Sequence, residues 1–400
     1  MIEPVRNNSK ALSLSLKYFM ATACGVVVAN LYYCQPLLGS LSHAFNVSET
    51  AASWINICSQ LGYGLGLFFV VPVGDMVSRR KLLITMQLFA ALALCGAALS
   101  RTIGTLYLFS LAIGITATAC QVYVPLAAHL ADEQERGKVI GTIMGGLLSG
   151  ILLSRTLSGL AADYWGWRSI YWIAAALMVI ISFLTNRIIP EEKHQFEGSY
   201  ATLMRSLFHL VKKYPLVRES AWIGACLFGA ISAFWSTLAF FLEKPPFSYS
   251  LSTIGFFGVV GLTGALISPQ VGKISDKKGT SFPMRWGVLL MIAGYLILFA
   301  SKIDIIILVI GIILIDGGLQ AAHIPNLTRV SELSADARTR LNTIYMTSFF
   351  IGGTIGSIIG SYAWNMFSWT GVCTVGLIFV LLAGLPVYVK RKNRNPMKTN

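Results

Sequence analysis

The stretch GKISDKKG at residues 272–279 closes a long apolar run with a short, highly charged turn. A similar turn, PVGDMVSRRK at residues 72–81, closes another apolar run near the start of the chain. Their aspartates, Asp75 and Asp276, are 201 positions apart (276 − 75). Repetition at a fixed spacing is the sequence signature of a duplicated structural unit. The two turns therefore predict that one helical unit is present twice in this chain.

The composition places the chain in a membrane. Residues of the set AVILMFWYC form 55% of the 400 positions, and charged residues form only 12%. A typical soluble domain has about 25% charged residues. A soluble fold has too little interior to bury so much apolar surface, so we expect lipid to surround the protein.

The formal net charge of +14 raises the question of nucleic-acid binding. The basic residues lie between apolar runs and form no long patch with interleaved aromatic residues, so we expect no nucleic-acid partner. Lysine and arginine instead mark the cytoplasmic loops of membrane proteins. If both termini are inside, 26 of the 31 basic residues fall on the cytoplasmic side. We therefore expect a multi-pass protein of the cell membrane whose termini both lie in the cytoplasm.

Twelve apolar runs are long enough to cross a bilayer, which requires about 20 mostly apolar residues. The only long polar stretch, 189–220, lies between the sixth and seventh runs. We interpret it as a cytoplasmic linker between an N-terminal six-helix bundle at 1–188 and a C-terminal bundle at 221–400, which ends in a basic cytoplasmic tail. The runs are 17–38, 50–73, 81–100, 103–128, 139–162, 168–188, 221–242, 251–272, 283–301, 303–325, 341–363 and 370–389.

Further matches support the duplication. Most of them share the offset of 201 positions, and a basic segment recurs with a slip of one residue. Chance matches are common between apolar helices because their residue alphabet is small, but charged turns fall outside that alphabet. The agreement therefore favours two parallel repeats. The matching pairs are Thr142 with Thr343, Ile143 with Ile344, Gly159 with Gly360, and segment 136–138 with segment 338–340.

The two charged turns resemble the loop between the second and third helices of the major facilitator superfamily, whose pattern is Gly-x-x-x-Asp-Arg/Lys-x-Gly-Arg/Lys. GKISDKKG fits this pattern closely, whereas the first turn has Val71, Met76 and Ser78 where glycine, a basic residue and glycine are usual. The resemblance extends over the whole chain through its arrangement of six and six spans. It implies an all-α membrane fold with 12 transmembrane helices in two pseudo-symmetric six-helix bundles.

The resemblance also implies that both turns act as cytoplasmic gates. A carboxylate at a helix end can accept hydrogen bonds from neighbouring helix N-termini and pair with arginine, which forms a latch that opens when the halves of a carrier rock. The alternative is that the basic residues only anchor the cytoplasmic face. The candidate gating residues are Asp75, Arg79, Arg80, Gly272, Asp276, Lys277 and Gly279.

Arg155 lies inside the fifth apolar run, where a charge costs roughly 2.5–3.5 kcal/mol on insertion scales. We expect it to face protein or water, and the many glycines of this run predict close contacts with other helices. The run resembles the glycine-rich fifth helix of drug:proton antiporters, although it has no proline between 139 and 162. The alternative is a side chain that extends to the outer lipid headgroups.

Asp316 is the second intramembrane charge, and with Gln320 and His323 it forms a stripe at i, i+4 and i+7 of the tenth run. A carboxylate, an amide and an imidazole on one face make a candidate site for protons and substrate. The resemblance implies that helices one, four, seven and ten line the central cavity. A permanently paired structural aspartate is the alternative. The helical rise puts Asp316 and Arg155 at depths that differ by about 8 Å, so a direct pair needs long reach or unequal helix tilts.

Uncharged polar and aromatic residues interrupt other apolar runs and complete the candidate site. Such residues suit an amphipathic or weakly polar small molecule that is bound by shape and a few hydrogen bonds. Hydrogen bonding between helices is the alternative for each of them. The candidates are Asn30 and Tyr33 in the first run, Asn56 and Gln60 in the second, Gln121 and Tyr123 in the fourth, and Trp235 in the seventh.

Signatures of catalysis, metal binding and nucleotide binding are absent from the sequence. It has no HExxH and no GxxxxGK[ST] motif, and its five histidines are far apart. The seven cysteines lie singly within apolar stretches without a CxxC motif, so they imply no disulfide framework and no metal site. We expect no enzyme activity, no cofactor and no direct use of ATP, which leaves ion gradients or facilitated diffusion as driving forces.

These features favour a secondary active transporter of a small organic solute that works by alternating access and exports its substrate in exchange for protons. Proton-linked uptake of a nutrient or metabolite is one alternative, and a non-transporting membrane sensor on a carrier fold is another. The expected partners are the small-molecule substrate, the proton as coupling ion and the lipid bilayer. We expect a monomer, and the short loops suit a bacterial inner membrane.

Overall fold

A computed structural model of the chain describes residues 13–132, 135–191, 199–302, 304–334 and 337–389. Within these ranges the regular elements are all helices. Nine helical segments of the described chain are long and apolar enough to cross a membrane, and two apolar helices, Leu14–Ala29 and Leu251–Val260, are shorter. The all-α architecture predicted from the sequence is confirmed.

The helices of the first half cover the first six apolar runs. Short 3-10 helices at Gln35–Leu37 and Val71–Asp75 connect some of them. The α-helices are α1 (Leu14–Ala29), α2 (Leu38–Phe45), α3 (Glu49–Phe69), α4 (Arg79–Leu99), α5 (Ile103–Ala117), α6 (Cys120–Leu130), α7 (Arg136–Trp165) and α8 (Arg168–Ile188).

The helices of the second half cover the linker and the other six runs. The last of them consists of two helices that meet at Ser368, whose φ of 50° and ψ of −144° are not helical. The α-helices are α9 (Tyr200–Lys213), α10 (Pro215–Trp235), α11 (Leu238–Glu243), α12 (Leu251–Val260), α13 (Leu262–Lys278), α14 (Ser281–Leu298), α15 (Ile305–Ser331) and α16 (Arg338–Tyr388).

The first, fourth and seventh runs each contain a break in the helix. At all three breaks a polar side chain donates to a carbonyl about one turn earlier: Asn30 at 3.1 Å, Thr118 at 2.6 Å and Thr237 at 2.9 Å. Bonds of this kind compete with the helical backbone pattern. A membrane protein tolerates such breaks where protein groups satisfy the backbone that they release.

The described residues form two compact units. Unit 1 contains those within Met1–Ser206 together with Leu238–Leu262, and unit 2 contains those within Leu207–Thr237 and Thr263–Asn400. The segment Leu238–Leu262 belongs by sequence to the second repeat but groups with unit 1. The bundle boundaries expected at 188 and 221 stay a prediction.

In unit 1, glycine lets α1 and α7 pack with their backbones in contact. A Cβ on Gly25 would lie 2.5 Å from the carbonyl oxygen of Gly146, and a Cβ on Gly150 would overlap the backbone of Gly25. Lipid tails supply no hydrophobic drive for helix association, so close backbone packing of small residues must contribute it. The expected interface role of the fifth run is therefore confirmed.

The same packing recurs in unit 2 between α10 and α16. A Cβ on Gly352 would overlap the backbone of Ala225, and a Cβ on Gly356 would overlap the backbone of Gly229. In both units a pair of small residues spaced by four on the first helix of the repeat meets a Gly-x-x-x-Gly pair on the fifth. The two repeats therefore use the same glycine-mediated backbone contact between their first and fifth helices.

The packing also corrects part of the predicted alignment. Equivalent contacts pair Gly146 with Gly352, which are 206 positions apart. The match of Gly159 with Gly360 is wrong, because Gly159 packs against Leu251 of α12 whereas Gly360 packs against Ala233 of α10. An apolar helix of small alphabet produces such accidental matches easily.

The basic segments that start α7 and α16 do occupy equivalent places. The Nε of Arg136 donates to the carbonyl of Ala128 at 3.0 Å, near the end of α6. The Nε of Arg338 donates to the carbonyl of Ser331 at 3.3 Å, at the end of α15. Each arginine thus satisfies a carbonyl that the preceding helix leaves without an intrahelical donor.

The predicted linker contains a helix, α9 (Tyr200–Lys213), which its polar composition alone did not indicate. Leu203, Leu207 and Leu210 are buried, whereas Arg205 and Lys212 are exposed. The spacing of the leucines is that of one face of an amphipathic helix. Residues 192–198 of the predicted linker lie outside the described residues.

Candidate functional site

Arg155 is buried inside unit 1, where it is 7% exposed. Its Nε donates to Oε1 of Gln35 at 2.8 Å, and its guanidinium lies 5.1 Å from the centroid of the Tyr32 ring. Both partners follow the break at the end of α1, which directs this part of the chain toward α7. The alternative in which Arg155 reaches the lipid headgroups is therefore wrong. A planar cation over an aromatic face in a dry environment gains about 2 kcal/mol or more.

The polar contacts of Arg155 continue to α3. The Nε2 of Gln35 donates to Oδ1 of Asn56 at 3.4 Å, and the Sγ of Cys34 lies 3.9 Å from the same oxygen. Asn56 is completely buried. We call Tyr32, Gln35, Asn56 and Arg155 the Arg155 cluster. It joins an arginine predicted from its intramembrane position to an asparagine predicted from a polar stripe.

Helix α12 covers the backbone of α7 beside this cluster. A Cβ on Gly255 would lie 2.6 Å from the carbonyl oxygen of Arg155, and a Cβ on Gly258 would lie 3.0 Å from its Cβ. The Oγ1 of Thr156 donates to the carbonyl of Gly255 at 3.1 Å. Glycine on α12 therefore brings the two helices close enough to exclude other groups from this side of Arg155.

Two candidates of the first run make contacts between helices. Tyr33 is 3% exposed, and its carbonyl accepts a bond of 2.5 Å from the hydroxyl of Ser158 on α7. Asn30 is 4% exposed, and its Nδ2 lies 3.4 Å from the Sδ of Met178 on α8. The Asn30 contact matches the alternative interpretation, in which polar side chains hold helices together. The Tyr33 contact uses its backbone carbonyl, so the role of its side chain stays a prediction.

A second polar group in unit 1 surrounds Tyr63. The Nε2 of Gln121 donates to the Tyr63 hydroxyl at 3.0 Å, and the Sγ of Cys120 lies 3.1 Å from that hydroxyl. Gln60, one turn earlier on α3, is 3% exposed. The structure therefore places the candidate Gln121 of the fourth run against Tyr63 of the second run, one helical turn from the candidate Gln60.

Tyr123 belongs to a different contact. Its hydroxyl accepts a bond of 2.6 Å from Nε2 of Gln87 on α4 and lies 3.2 Å from Oγ1 of Thr185 on α8. All three side chains are buried. Tyr123 therefore connects α6 with α4 and α8, away from the hydroxyl of Tyr63.

In unit 2, Asp316, Gln320 and His323 lie on one partly exposed face of α15. The opposite face is packed, because a Cβ on Gly318 would lie 2.7 Å from the carbonyl oxygen of Gly287 on α14. The predicted stripe is therefore a real surface of this helix, with a carboxylate, an amide and an imidazole in a row.

His323 is the start of a hydrogen-bonded network that continues along α15. Its Nδ1 lies 2.8 Å from the hydroxyl of Tyr345 on α16, and its ring centroid lies 4.6 Å from that of Phe349. The Nδ2 of Asn326 lies 3.3 Å from the same hydroxyl and 2.9 Å from the carbonyl of Ser220. One tyrosine hydroxyl thus connects the imidazole to a fully buried amide.

The network ends in an ion pair that is largely but not fully buried. The Nε of Arg329 donates to Oδ1 of Asn326 at 2.8 Å, and its NH1 lies 3.3 Å from Oε1 of Glu219 on α10. Both charged side chains are only 11% exposed. We call Glu219, His323, Asn326, Arg329 and Tyr345 the His323 network. It fixes α10, α15 and α16 to one another through polar contacts.

Most of this network could not be recognised in the sequence. Arg329 follows the tenth apolar run, where basic residues are ordinary, and Tyr345 lies on another helix. A signal was present, because Asn326 and Arg329 follow His323 at intervals of three, the spacing of neighbours on a helix surface. Glu219 had no such signal, since its partner is 110 positions away.

Trp235 is buried at the end of α10, next to the break in the seventh run. It is 6% exposed, and its ring meets that of Phe234 edge-on, with centroids 5.4 Å apart. Phe234 in turn contacts Trp369 at 5.6 Å. In unit 2 this tryptophan is part of an aromatic cluster.

The first charged turn has the ion pair that was expected of a latch. The NH2 of Arg79 lies 3.6 Å from Oδ1 of Asp75, with side chains 20% and 34% exposed. Arg80 donates to the backbone carbonyl of Asn186 and to its Oδ1, the latter at 2.8 Å. The turn therefore contains an internal ion pair between Arg79 and Asp75, and Arg80 links α4 to the end of α8.

The predicted gating residues of the second charged turn are exposed or partly exposed. Asp276, Lys277 and Gly279 are exposed, and Gly272 is partly exposed. Gly279 has a φ of +77°, a conformation that residues with a Cβ rarely adopt. Gly279 is thus required by the conformation of the turn. A gating role for these residues stays a prediction.

Metal ligation has no obvious place in the described part of the chain. No three His, Cys, Asp or Glu side chains within it come together as a metal site would need. The cysteines that it describes are free thiols, most of them buried.

Comparison with known proteins settles the family. The family model described as Major Facilitator Superfamily matches residues 20–337. The chain belongs to this superfamily. The resemblance carried by the two charged turns is thereby confirmed, and with it the fold of two pseudo-symmetric six-helix bundles.

Relatives and solved structures agree. The uncharacterized transporter YgaY of Escherichia coli O157:H7 is 39% identical over 93% of this chain and 94% of its own length. The probable transporter SCO4007 of Streptomyces coelicolor is 30% identical over 91% of this chain and 84% of its own. A bacterial homolog of the human lysosomal transporter Spinster superposes with a TM-score of 0.74 at 14% identity, over 93% of this chain and 95% of its own. This superfamily member is therefore a membrane-spanning transporter.

Proposed function

We propose that this transporter exports a small organic solute by alternating access in exchange for protons, from a bacterial inner membrane and with both termini in the cytoplasm. The observation that carries the proposal is the stripe of Asp316, Gln320 and His323 on one partly exposed face of a transmembrane helix. An ionisable group at membrane depth is costly, so it is a functional candidate by default.

The chemistry of the stripe suits proton exchange. A carboxylate in an apolar environment favours its neutral form, and a cation that approaches it favours the charged form. Asp316 can therefore release a proton when substrate arrives and bind one when substrate leaves. His323 adds a second titratable group on the same face, two helical turns further along α15, and its Nδ1 lies 2.8 Å from the Tyr345 hydroxyl. The donors and aromatic ring of the Arg155 cluster offer contacts for a weakly polar substrate.

The direction of proton movement can be measured in liposomes. Purified protein is reconstituted with the pH dye pyranine inside, and ethidium, chloramphenicol and norfloxacin are added outside one at a time without an imposed pH gradient. Exchange moves protons out as the probe enters, so the interior becomes more alkaline. Proton-linked uptake moves both inward, so the interior becomes more acidic. The sign of the change distinguishes the two whichever way the protein is inserted.

Asp316→Asn should abolish this pH change, because the amide cannot take up or release a proton. Asp304→Asn is the matched control: Asp304 caps the start of the same helix at 2.8 Å from the Ile306 nitrogen, and asparagine caps equally well. A pH change that survives in Asp316→Asn as fully as in Asp304→Asn would remove Asp316 from the coupling mechanism. Probe entry with acidification would establish uptake instead. Protein-containing liposomes that behave as empty ones with every probe would favour the sensor.

A further inference from the structure

A groove of about 490 Å³ lies at one end of unit 2, between the start of α10 and the end of α16. It is lined chiefly by Pro215, Arg218, Glu219, Trp222, Leu385 and Pro386. Glu219 belongs to the His323 network, but the other lining residues are not part of the predicted transport site, so the groove needs a separate explanation.

The walls of the groove are apolar and exposed. Trp222 is 52% exposed and Leu385 is 59% exposed. The indole nitrogen of Trp222 donates to the carbonyl of Leu382 at 3.2 Å, which joins the two helices and turns the ring toward the groove side of α10. Tryptophan is enriched where a membrane protein meets the headgroup layer, because its ring is apolar and its N–H is polar. These walls suit an acyl chain whose headgroup lies at the mouth.

The mouth of the groove is basic. The guanidinium of Arg218 donates through NH1 to the carbonyls of Val211 and Lys212, at 2.9 and 3.1 Å, so it is held in place at the end of α9. Lys212 and Lys213 are the exposed last residues of that helix. The cation of Arg218 is thus fixed beside two further positive charges and the apolar walls.

Glu219, the acidic residue among the described lining of the groove, does not cancel this charge. Glu219 is 11% exposed and forms its ion pair with Arg329 on the protein side, at 3.3 Å. Arg285, which does not line the groove, is exposed at the start of α14, and its guanidinium lies 6.0 Å from the centroid of the Tyr388 ring at the end of α16. The described charges around the mouth are therefore positive on balance.

We propose that this groove binds an anionic phospholipid from the surrounding leaflet, with its phosphate at Arg218 and an acyl chain along Trp222 and Leu385. Basic pockets between transmembrane helices on the cytoplasmic side recognise anionic headgroups, and basic residues that follow a span add to the attraction. The sequence continues after Val389 with Lys390, Arg391 and Lys392. The proposal does not depend on what the transporter carries or in which direction.

Quenching of Trp222 fluorescence tests the proposal. The protein is reconstituted in phosphatidylcholine in two series, one with an increasing fraction of brominated phosphatidylglycerol and one with an increasing fraction of brominated phosphatidylcholine. Both brominated lipids carry bromine near the headgroup end of their acyl chains. The difference between wild type and Trp222→Phe isolates this tryptophan from the other eight of the nine. We expect half-maximal quenching at a fraction of brominated phosphatidylglycerol about fivefold lower than that of the neutral lipid, the effect of one basic group near an anionic surface.

Three variants separate charge from structure. Arg218→Gln should lose the preference for the anionic lipid, whereas Arg218→Lys should keep most of it although it lacks the guanidinium. Lys273→Gln removes the same charge from an exposed position on α13 outside the groove and should keep the preference completely. Equal quenching by both lipids in wild type overturns the proposal, as does an unchanged preference in Arg218→Gln or an equal loss in Arg218→Lys.

Discussion

At the scale of single residues, the largely buried pair of Arg329 and Glu219 is expected to affect stability strongly. Taking two charges out of water is expensive, and their attraction compensates only while both are present and hydrogen-bonded. Asn326 supplies one of the remaining contacts at 2.8 Å. The pair is thus an element whose partial loss costs more than its complete replacement.

Arg329→Met should lower the free energy of unfolding by up to about 3–5 kcal/mol, because Glu219 is left as an uncompensated charge that is largely buried. The double variant Arg329→Met with Glu219→Leu should recover most of this loss. Unfolding in mixed detergent, followed by circular dichroism, measures both. If the two single substitutions simply add in the double variant, the ion pair contributes no coupling energy.

Tyr345→Phe should cost about 1–3 kcal/mol, since it removes the hydroxyl shared by His323 and Asn326 and leaves buried polar groups without that partner. Tyr362→Phe is a suitable control on the same helix, because Tyr362 is 51% exposed. Thermal unfolding in detergent compares the two. Similar melting temperatures for both variants would show that the shared hydroxyl stabilises nothing.

Residue-level prediction from the sequence depended on the energetic cost of a charge in the membrane, and the functional roles it assigns stay predictions. Arg155 and Asp316 were identifiable because charge is rare inside a span. Arg329 and Glu219 were not, because a charge near the end of a span is ordinary and only the fold shows that these two are buried together. The position of Gln35 beside Arg155 depends on the break in the first run. At that break the side chain of Asn30 donates to a backbone carbonyl one turn earlier.

At the scale of helices, the contact between α1 and α7 depends on the absence of side chains at two points. Gly150 meets the backbone of Gly25, whereas Gly145 on the same helix has no heavy atom within 4 Å of where a Cβ would lie. Apolar run length predicted where helices would form, but only the contacts show which of the many glycines are required. The false alignment of Gly159 with Gly360 has the same origin.

Gly150→Ala should therefore destabilise the protein by about 1–3 kcal/mol, the usual cost of overpacking. Gly145→Ala should be neutral or stabilising by up to about 1 kcal/mol, because alanine favours the helix over glycine. Melting temperatures of the two variants in one detergent provide the comparison. A Gly150→Ala protein as stable as Gly145→Ala would mean that α1 and α7 are not in backbone contact.

At the scale of the whole molecule, the duplication explains why sequence patterns predicted the fold so well. The linker between two sets of six runs and the repeated charged turn follow from that duplication, and run length follows from the requirement that each span satisfies its backbone within lipid. Breaks inside the spans and the grouping of Leu238–Leu262 with unit 1 do not follow from it. They depend on side-chain bonds and glycine contacts between segments far apart in sequence.

The arrangement of the chain across the membrane remains a prediction from charge, and two exposed lysines test it. Lys302 follows the ninth run and Lys273 ends the eighth, so twelve spans with both termini inside place them on opposite faces. In intact cells an impermeant maleimide should label Lys302→Cys strongly and Lys273→Cys only after permeabilisation, with wild type reporting the background of its seven cysteines. Since 26 of 31 basic residues favour this orientation, the opposite labelling pattern would require the positive-inside rule to fail along the entire chain. Equal labelling of both positions in intact cells would point instead to two insertion topologies, which a strong charge bias opposes.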